Sequence, residues 1–151
     1  MSRIDFYHLQ KQSLEDVLPK LLIKAYDSGK NIKVKIGTPE RVEFINALLW
    51  TFDDESFLPH GSKKDGFSKA QPIYLSTDDD NPNEAEFLFL VDGAIEPIEN
   101  LSAFTRIFNI FDGNDEVALN AARKYWKSVK ESGAELHYWQ QNALGKWEQK
   151  T

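Results

Sequence analysis

The fold class follows from one stretch, residues 31–50, which reads NIKVKIGTPERVEFINALLW. Its first seven residues alternate between apolar and polar side chains, which is typical of a strand. Thr38, Pro39 and Glu40 then supply an N-cap, a first-turn proline and an acidic first turn, so a helix is predicted to run to about Trp50. A strand that passes directly into a helix indicates an α/β fold.

The segments on either side repeat this order. Residues 4–9, IDFYHL, alternate as a half-buried strand does, and residues 14–25 place apolar side chains at helical spacing after the N-cap Ser13. The later elements are predicted strands at 72–76, 86–91, 106–111 and 135–140, a short helical piece at 100–104, a helix at 116–132, and a long loop over 53–71. This order predicts a single domain, residues 1–151, built as a three-layer α/β/α sandwich around a mixed, mostly parallel sheet.

The composition excludes several kinds of site. The chain contains no cysteine, which excludes disulfides, thiolate zinc sites and cysteine nucleophiles and favours a reducing cytoplasm. No apolar stretch is long enough to span a membrane, so we expect a cytoplasmic protein with no membrane partner. The chain has 18 Lys and Arg residues and 24 Asp and Glu residues. The resulting net charge of −6 predicts little direct DNA binding. A minor alternative is DNA contact through the loop lysines Lys63, Lys64 and Lys69.

Catalytic and cofactor motifs are weak. The loop at 10–13, QKQS, has no glycine, and neither glycine-rich phosphate-binding motif occurs in the sequence. Of the three histidines, His8 and His137 lie in predicted strands, and neither has a partner at a known catalytic or metal-binding spacing. The acidic run at 78–80 is interpreted as a solvated turn. Residues 148–150, EQK, match a short nuclease motif only formally. We therefore predict no catalytic residue, no metal and no cofactor, with a small metal-dependent nuclease or nucleotide-processing enzyme as the alternative.

The helix at 116–132 carries a basic face. At ~100° per residue, Lys127 and Lys130 lie within about 40° of Arg123, and Trp126 lies about 60° away, at the border with the apolar side. Residues 119–130 hold four cations and no acid, so the rest of the chain carries a net charge of −10, the −6 total less this +4. This face fits either a solvated amphipathic helix or a site for an acidic peptide with an apolar, free C-terminus.

Trp50 is placed unusually on the second helix. It lies roughly 130° from the centre of the apolar arc that faces the core, so its ring needs another cover. Either the following loop folds back and lays Phe57 and Leu58 over it, or a partner protein buries it as an aromatic anchor.

Five short segments, taken in their order and spacing, indicate a resemblance to a known protein family. They are ALLW at 47–50, SFLPHG at 56–61, FNIFDG at 108–113, ARKYWK at 122–127 and YWQQ at 138–141. Together with the aromatic pair Phe6 and Tyr7 in the opening strand, they span nearly the whole chain and resemble the chi subunit of bacterial DNA polymerase III. The resemblance rests on their collinearity rather than on any one segment.

The resemblance implies a non-catalytic accessory subunit, associated with the clamp loader in DNA replication. It implies a link to the single-stranded-DNA-binding protein, formed by binding that protein's acidic C-terminal tail. Arg123 and Lys127 would then meet the carboxylates of the tail, and Trp126 its terminal apolar residue. Leu119 stands where some relatives carry a lysine, and Lys130 is expected to supply the missing charge.

The resemblance also implies a second partner. Trp50 and Phe57 match the family positions that bind the psi subunit. We therefore expect psi, or another clamp-loader component, at this surface.

Overall fold

A computed structural model describes residues 2–52 and 58–151 of the chain. The longer elements, in chain order, are β1 (Arg3–Leu9), α1 (Leu14–Tyr26), β2 (Ile32–Ile36), α2 (Pro39–Thr51), β3 (His60–Ser62), β4 (Ile73–Ser76), β5 (Phe87–Val91), β6 (Arg106–Asp112), α3 (Glu116–Glu131), β7 (Glu135–Gln141) and β8 (Trp147–Gln149). Short 3-10 turns occupy Lys63–Asp65, Ser68–Ala70 and Ile98–Ala103. No helix among the described residues has both the length and the apolar character needed to cross a membrane.

The strands form one sheet in the order β3-β4-β2-β5-β6-β1-β7-β8. In the described part of the chain every pairing is parallel except that of β7 with β8, which is antiparallel. Helices α1 and α2 pack on one face of the sheet, and α3 and the 3-10 turn Ile98–Ala103 pack on the other. The prediction of a three-layer α/β/α sandwich around a mixed, mostly parallel sheet is confirmed.

Strand β1 lies inside the sheet and is buried on both faces. The prediction of a half-buried strand was wrong here, because helices cover both faces of a parallel sheet and leave no solvated side. Its fully buried carboxylate, that of Asp5, is therefore paired within the protein. The carboxylate of Asp5 accepts hydrogen bonds from Arg3 and Arg106, each at 2.8 Å, and from the indole N–H of Trp139 at 3.3 Å.

Two lysines of β2 are buried for the same reason, Lys33 with 0% and Lys35 with 5% of its surface exposed. Lys33 donates hydrogen bonds to the backbone carbonyl oxygens of Asp78, at 2.6 Å, and Asp80. Lys35 pairs with the carboxylate of Asp79. The acidic turn keeps its carboxylates partly in solvent, as expected, but it also neutralises the buried lysines, which the sequence interpretation did not foresee.

Two strands were missed in the sequence. β3 lies within the region assigned to a loop, and β8 follows the last predicted strand. Each is three residues long, too short for an alternating pattern to stand out, and together they form the two edges of the sheet. The residues that follow β8, Lys150 and Thr151, line a pocket together with residues of α3.

Candidate functional site

Helix α3 is held in one orientation on the sheet. Its N-cap Asp115 accepts hydrogen bonds from the backbone N–H groups of Val117 and Ala118, at 3.0 and 3.4 Å. Tyr125 points into the core, where its hydroxyl donates to the carbonyl oxygen of Glu96 at 2.8 Å. The opposite side of the helix is thereby turned to solvent, and the exposed cations on it include Arg123, Lys127 and Lys130.

Trp126 lies half-buried at the border between the two sides of α3. Its ring meets that of Phe6 on β1 at a centroid distance of 5.1 Å and that of Tyr138 on β7 at 5.6 Å, both edge to face. These contacts are the favoured geometry for aromatic pairs. One part of the indole is fixed against the sheet, while the rest is exposed at the protein surface.

A pocket of about 310 Å³ opens beside this ring. Its lining combines Arg123 and Trp126 from α3, Tyr138 from β7, and Lys150 and Thr151 from the residues after β8. The structure therefore brings together two of the four α3 residues predicted for peptide binding. The other two, Lys127 and Lys130, are exposed on the same helix but are not among the described residues that line the pocket.

The wall formed by Lys150 and Thr151 was missed in the sequence. The backbone N–H of Lys150 donates to the carbonyl oxygen of Tyr138 at 2.7 Å, and the N–H of Tyr138 donates to the carbonyl oxygen of Thr151 at 3.2 Å. A signal was present in the sequence. Residues 142–146, NALGK, are turn-forming and stand between two short segments with aromatic residues, which is typical of a hairpin.

Beneath the pocket, Nδ1 of His8 lies 2.6 Å from the hydroxyl of Tyr138. Burial lowers the pKa of His8, and the nearby charge of Arg123 lowers it further, against the opposing effect of Asp112. Burial raises the pKa of Tyr138, and Arg123 opposes that rise. Both groups are therefore neutral at pH 7, and the cations at the pocket are Arg123 and Lys150.

This arrangement suits one kind of ligand. Arginine offers a planar set of donors that matches a carboxylate, and aromatic walls bury apolar side chains. A ligand with a carboxylate beside an apolar group would satisfy both features at once.

A larger crevice, of about 730 Å³, lies at the carboxyl ends of β1, β5 and β6. Adjacent strands β1 and β6 lead into helices on opposite faces there, the position at which many α/β proteins bind nucleotides. At the N-terminus of α1 a backbone N–H group already donates to the side chain of Ser13, and at the N-terminus of α3 another donates to the side chain of Asp115. Among the described residues that line this crevice, four are acidic and two are basic: Glu15, Asp92, Asp112 and Asp115, and Lys11 and Arg41.

These features make the crevice a poor phosphate site. Arg41 is engaged by Glu15 at 2.6 Å and by Asp92 at 3.0 Å, so its charge is already balanced. In the nuclease-like segment, Lys150 pairs with Glu148 at 3.2 Å in an exposed hairpin. Within residues 2–52 and 58–151, no cluster of three or more His, Cys, Asp and Glu side chains could hold a metal ion. None of these observations favours the alternative of a nuclease or nucleotide-processing enzyme.

Trp50 lies on the other side of the sheet from Trp126, because α2 and α3 cover opposite faces. Half of its surface, 51%, is exposed, and its ring packs on that of His60 at a centroid distance of 4.2 Å. His60 is fixed by backbone carbonyl oxygens of Leu58 and Asn46, at 2.6 and 3.0 Å from its ring nitrogens. Leu58 is buried in the core. The other residue predicted here, Phe57, lies outside the described residues.

Known proteins resemble this chain over nearly its whole length. The family model described as DNA polymerase III chi subunit, HolC, matches residues 1–137. A protein of Rickettsia prowazekii (strain Madrid E), named probable DNA polymerase III subunit chi, is 28% identical over 154 residues, which cover 97% of this chain and 91% of that relative. The family match includes α3 and ends one residue before Tyr138.

Proposed function

The chain belongs to the DNA polymerase III chi subunit family, and on that premise we propose that it binds the acidic C-terminal tail of the single-stranded-DNA-binding protein. Family membership assigns it to DNA polymerase III and to replication. In our proposal it is a non-catalytic accessory subunit that works in the cytoplasm. It links the tail to the clamp-loader part of the replicase.

The observation that carries this proposal is the pocket shared by Arg123, Trp126 and Tyr138. A C-terminal tail of this kind ends in an apolar residue that carries a free carboxylate. The apolar side chain would lie against Trp126 and Tyr138, and the carboxylate would accept hydrogen bonds from Arg123. A ligand lacking either group would leave half of the pocket unused.

Lys127 and Lys130 extend the basic surface away from the pocket. They follow Arg123 by four and seven residues, so all three lie along one side of α3. Acidic residues farther up the tail would run beside these lysines while the terminal residue occupies the pocket. The acidic remainder of the surface repels DNA phosphates, which favours a peptide partner over direct DNA binding.

The second partner in our proposal is psi or another clamp-loader component, bound at Trp50 and Phe57. A half-exposed tryptophan on a helix is a typical anchor for a protein interface. Because α2 and α3 lie on opposite faces of the sheet, both partners could be bound at once. This geometry suits a protein that joins two others.

Isothermal titration calorimetry with a peptide copying the tail of the same organism's single-stranded-DNA-binding protein tests the proposal. We expect a Kd on the order of micromolar that rises with salt, as it does for exposed charge pairs. Arg123→Ala should weaken binding about tenfold or more, the effect of a lost charge-assisted hydrogen bond. Lys124→Ala is the matched control, because Lys124 is an exposed lysine next to Arg123 that is not among the described residues lining the pocket. Unchanged affinity in both Arg123→Ala and Trp126→Ala would contradict the proposal.

A further inference from the structure

The strand β8 is built into the sheet in a fixed register. It pairs with β7 so that Trp147 lies opposite Gln141 and Glu148 opposite Gln140. Trp147 packs against the core on the α1 and α2 side, with its ring edge to face on Tyr7 at a centroid distance of 5.1 Å. This anchor holds the backbone that follows, including Lys150, in a defined place.

The register decides which way Lys150 points. Side chains alternate between the faces of a strand, and residues opposite each other in an antiparallel pair share a face. The backbone bond between Lys150 and Tyr138 makes them such a pair, and Tyr138 packs on the α3 side. Lys150 therefore reaches the pocket from the sheet, while Arg123 reaches it from the helix.

Glu148 stands two residues before Lys150 on the same face. Its Oε1 lies 3.2 Å from Nζ of Lys150, and its Oε2 accepts a hydrogen bond from Asn142, also at 3.2 Å. Hydrogen bonds from Asn142 and then Lys150 lower the pKa of Glu148, so it is ionised at neutral pH. Both side chains of the Lys150–Glu148 pair are about half exposed. Exposed ion pairs of this kind contribute little stability and exchange partners readily.

We propose that Lys150 is a fifth tail-binding residue, which exchanges Glu148 for a carboxylate of the bound peptide. Glu148 then acts as a competitor built into the chain, and it lowers the affinity for the tail. The ligand class is an acidic peptide with a free C-terminal carboxylate, held between Arg123 on the helix and Lys150 on the sheet edge. This inference rests on the proposed function of the same pocket.

The test is calorimetry with the same tail peptide on the full chain at low salt. Lys150→Gln should weaken binding about threefold to fivefold, the upper part of the range for an exposed charge pair. Lys146→Gln is the matched control, because Lys146 is exposed in the preceding turn and is not among the described lining residues. Glu148→Gln should strengthen binding about twofold to threefold, and high salt should diminish both effects.

A double variant separates competition from a general effect of charge. If Glu148 acts through Lys150, Glu148→Gln should change the affinity much less in the Lys150→Gln background than in the wild type. The inference is overturned if Lys150→Gln and Lys146→Gln have equal effects, or if Glu148→Gln acts equally in both backgrounds. In that outcome a loss of binding in Arg123→Ala would leave the proposed function standing. Unchanged binding in Arg123→Ala and Trp126→Ala would instead reject the proposed function itself.

Discussion

The backbone N–H of Lys150 donates to the carbonyl oxygen of Tyr138 over 2.7 Å, and Tyr138 is the residue on which the ring of Trp126 rests. This relationship joins the edge strand β8 to the pocket beside α3. The pocket at which we propose that the tail binds is therefore shared between a helix and a sheet edge, and substitutions on either element should affect binding there.

Trp126 should contribute to stability as well as to binding. Its half-buried ring contacts Phe6 and Tyr138, so Trp126→Ala should lower the free energy of unfolding by about 2 kcal/mol, below the cost for a fully buried ring. Each kcal/mol lowers Tm by about 2–4 °C in a chain of this size. Trp126→Phe, which keeps a ring on the sheet, should cost less than half as much. Equal Tm values for wild type and Trp126→Ala, in thermal melts followed by circular dichroism, would contradict these contacts.

His8 should make stability depend on pH near neutrality. Burial and Arg123 lower its pKa in the folded state, so the unfolded state binds the proton more readily. The free energy of unfolding that neutral His8 contributes is fully present above the pKa of histidine in the unfolded chain, about 6.5. It is lost as the pH falls toward the lower pKa of His8 in the folded state. Tm should therefore fall between pH 7.5 and 5.5. The fall should be smaller in His8→Phe, which keeps the ring contact with Phe111 but cannot titrate. Parallel pH profiles would contradict the assignment to His8.

Gly113 should tolerate no side chain. A Cβ at this position would overlap the imidazole of His8 and lie 2.7 Å from the carbonyl oxygen of Leu9. Gly113→Ala should therefore destabilise the protein by about 1–3 kcal/mol, as overpacking does. Urea denaturation measures this loss, and His8→Ala in the same chain should recover part of it. Full stability of Gly113→Ala would contradict the close packing of both His8 and the Leu9 backbone on this position.

Asp5 should be costly to neutralise, because its fully buried carboxylate balances two arginines. Asp5→Asn keeps the shape but removes the charge, and we expect a loss of about 2 kcal/mol in the free energy of unfolding. Arg3 and Arg106 are each about a third exposed and can recover some hydration, which limits the loss. Glu131→Gln on the exposed end of α3 is the control. A comparable loss in this control, measured by urea denaturation, would contradict a special role for Asp5.

Much of the fold could be predicted from the sequence because its longer elements are locally encoded. In α3, an N-cap aspartate and an apolar stripe fix both the start of the helix and the side that faces the core. Arg123 and Trp126 could be singled out for the same reason, since their position on α3 follows from helical spacing alone.

The rest depends on contacts between distant segments. Lys33 and Lys35 alternate with apolar residues as solvated side chains would. Their burial depends on the turn at 78–80, brought in from beyond β4, and for Lys35 also on the carbonyl oxygen of Ile95 at 2.7 Å. Lys150 reaches the pocket only because a three-residue strand pairs with β7. Periodicity within one segment carries no information on such pairings. The turn-forming residues 142–146 indicate the hairpin, but not that Lys150 reaches a pocket beside α3 or that Lys33 and Lys35 are buried.

The indole N–H signals of the protein test the central claim most directly. The chain has four tryptophans, and a ¹H–¹⁵N spectrum should separate their side-chain signals during titration with the tail peptide. Trp126 should shift progressively and saturate with the calorimetric Kd. Trp50, Trp139 and Trp147 should move little, because α2 and the far face of the sheet hold them away from the pocket. A shift of Trp50 with Trp126 unmoved would contradict tail binding at α3.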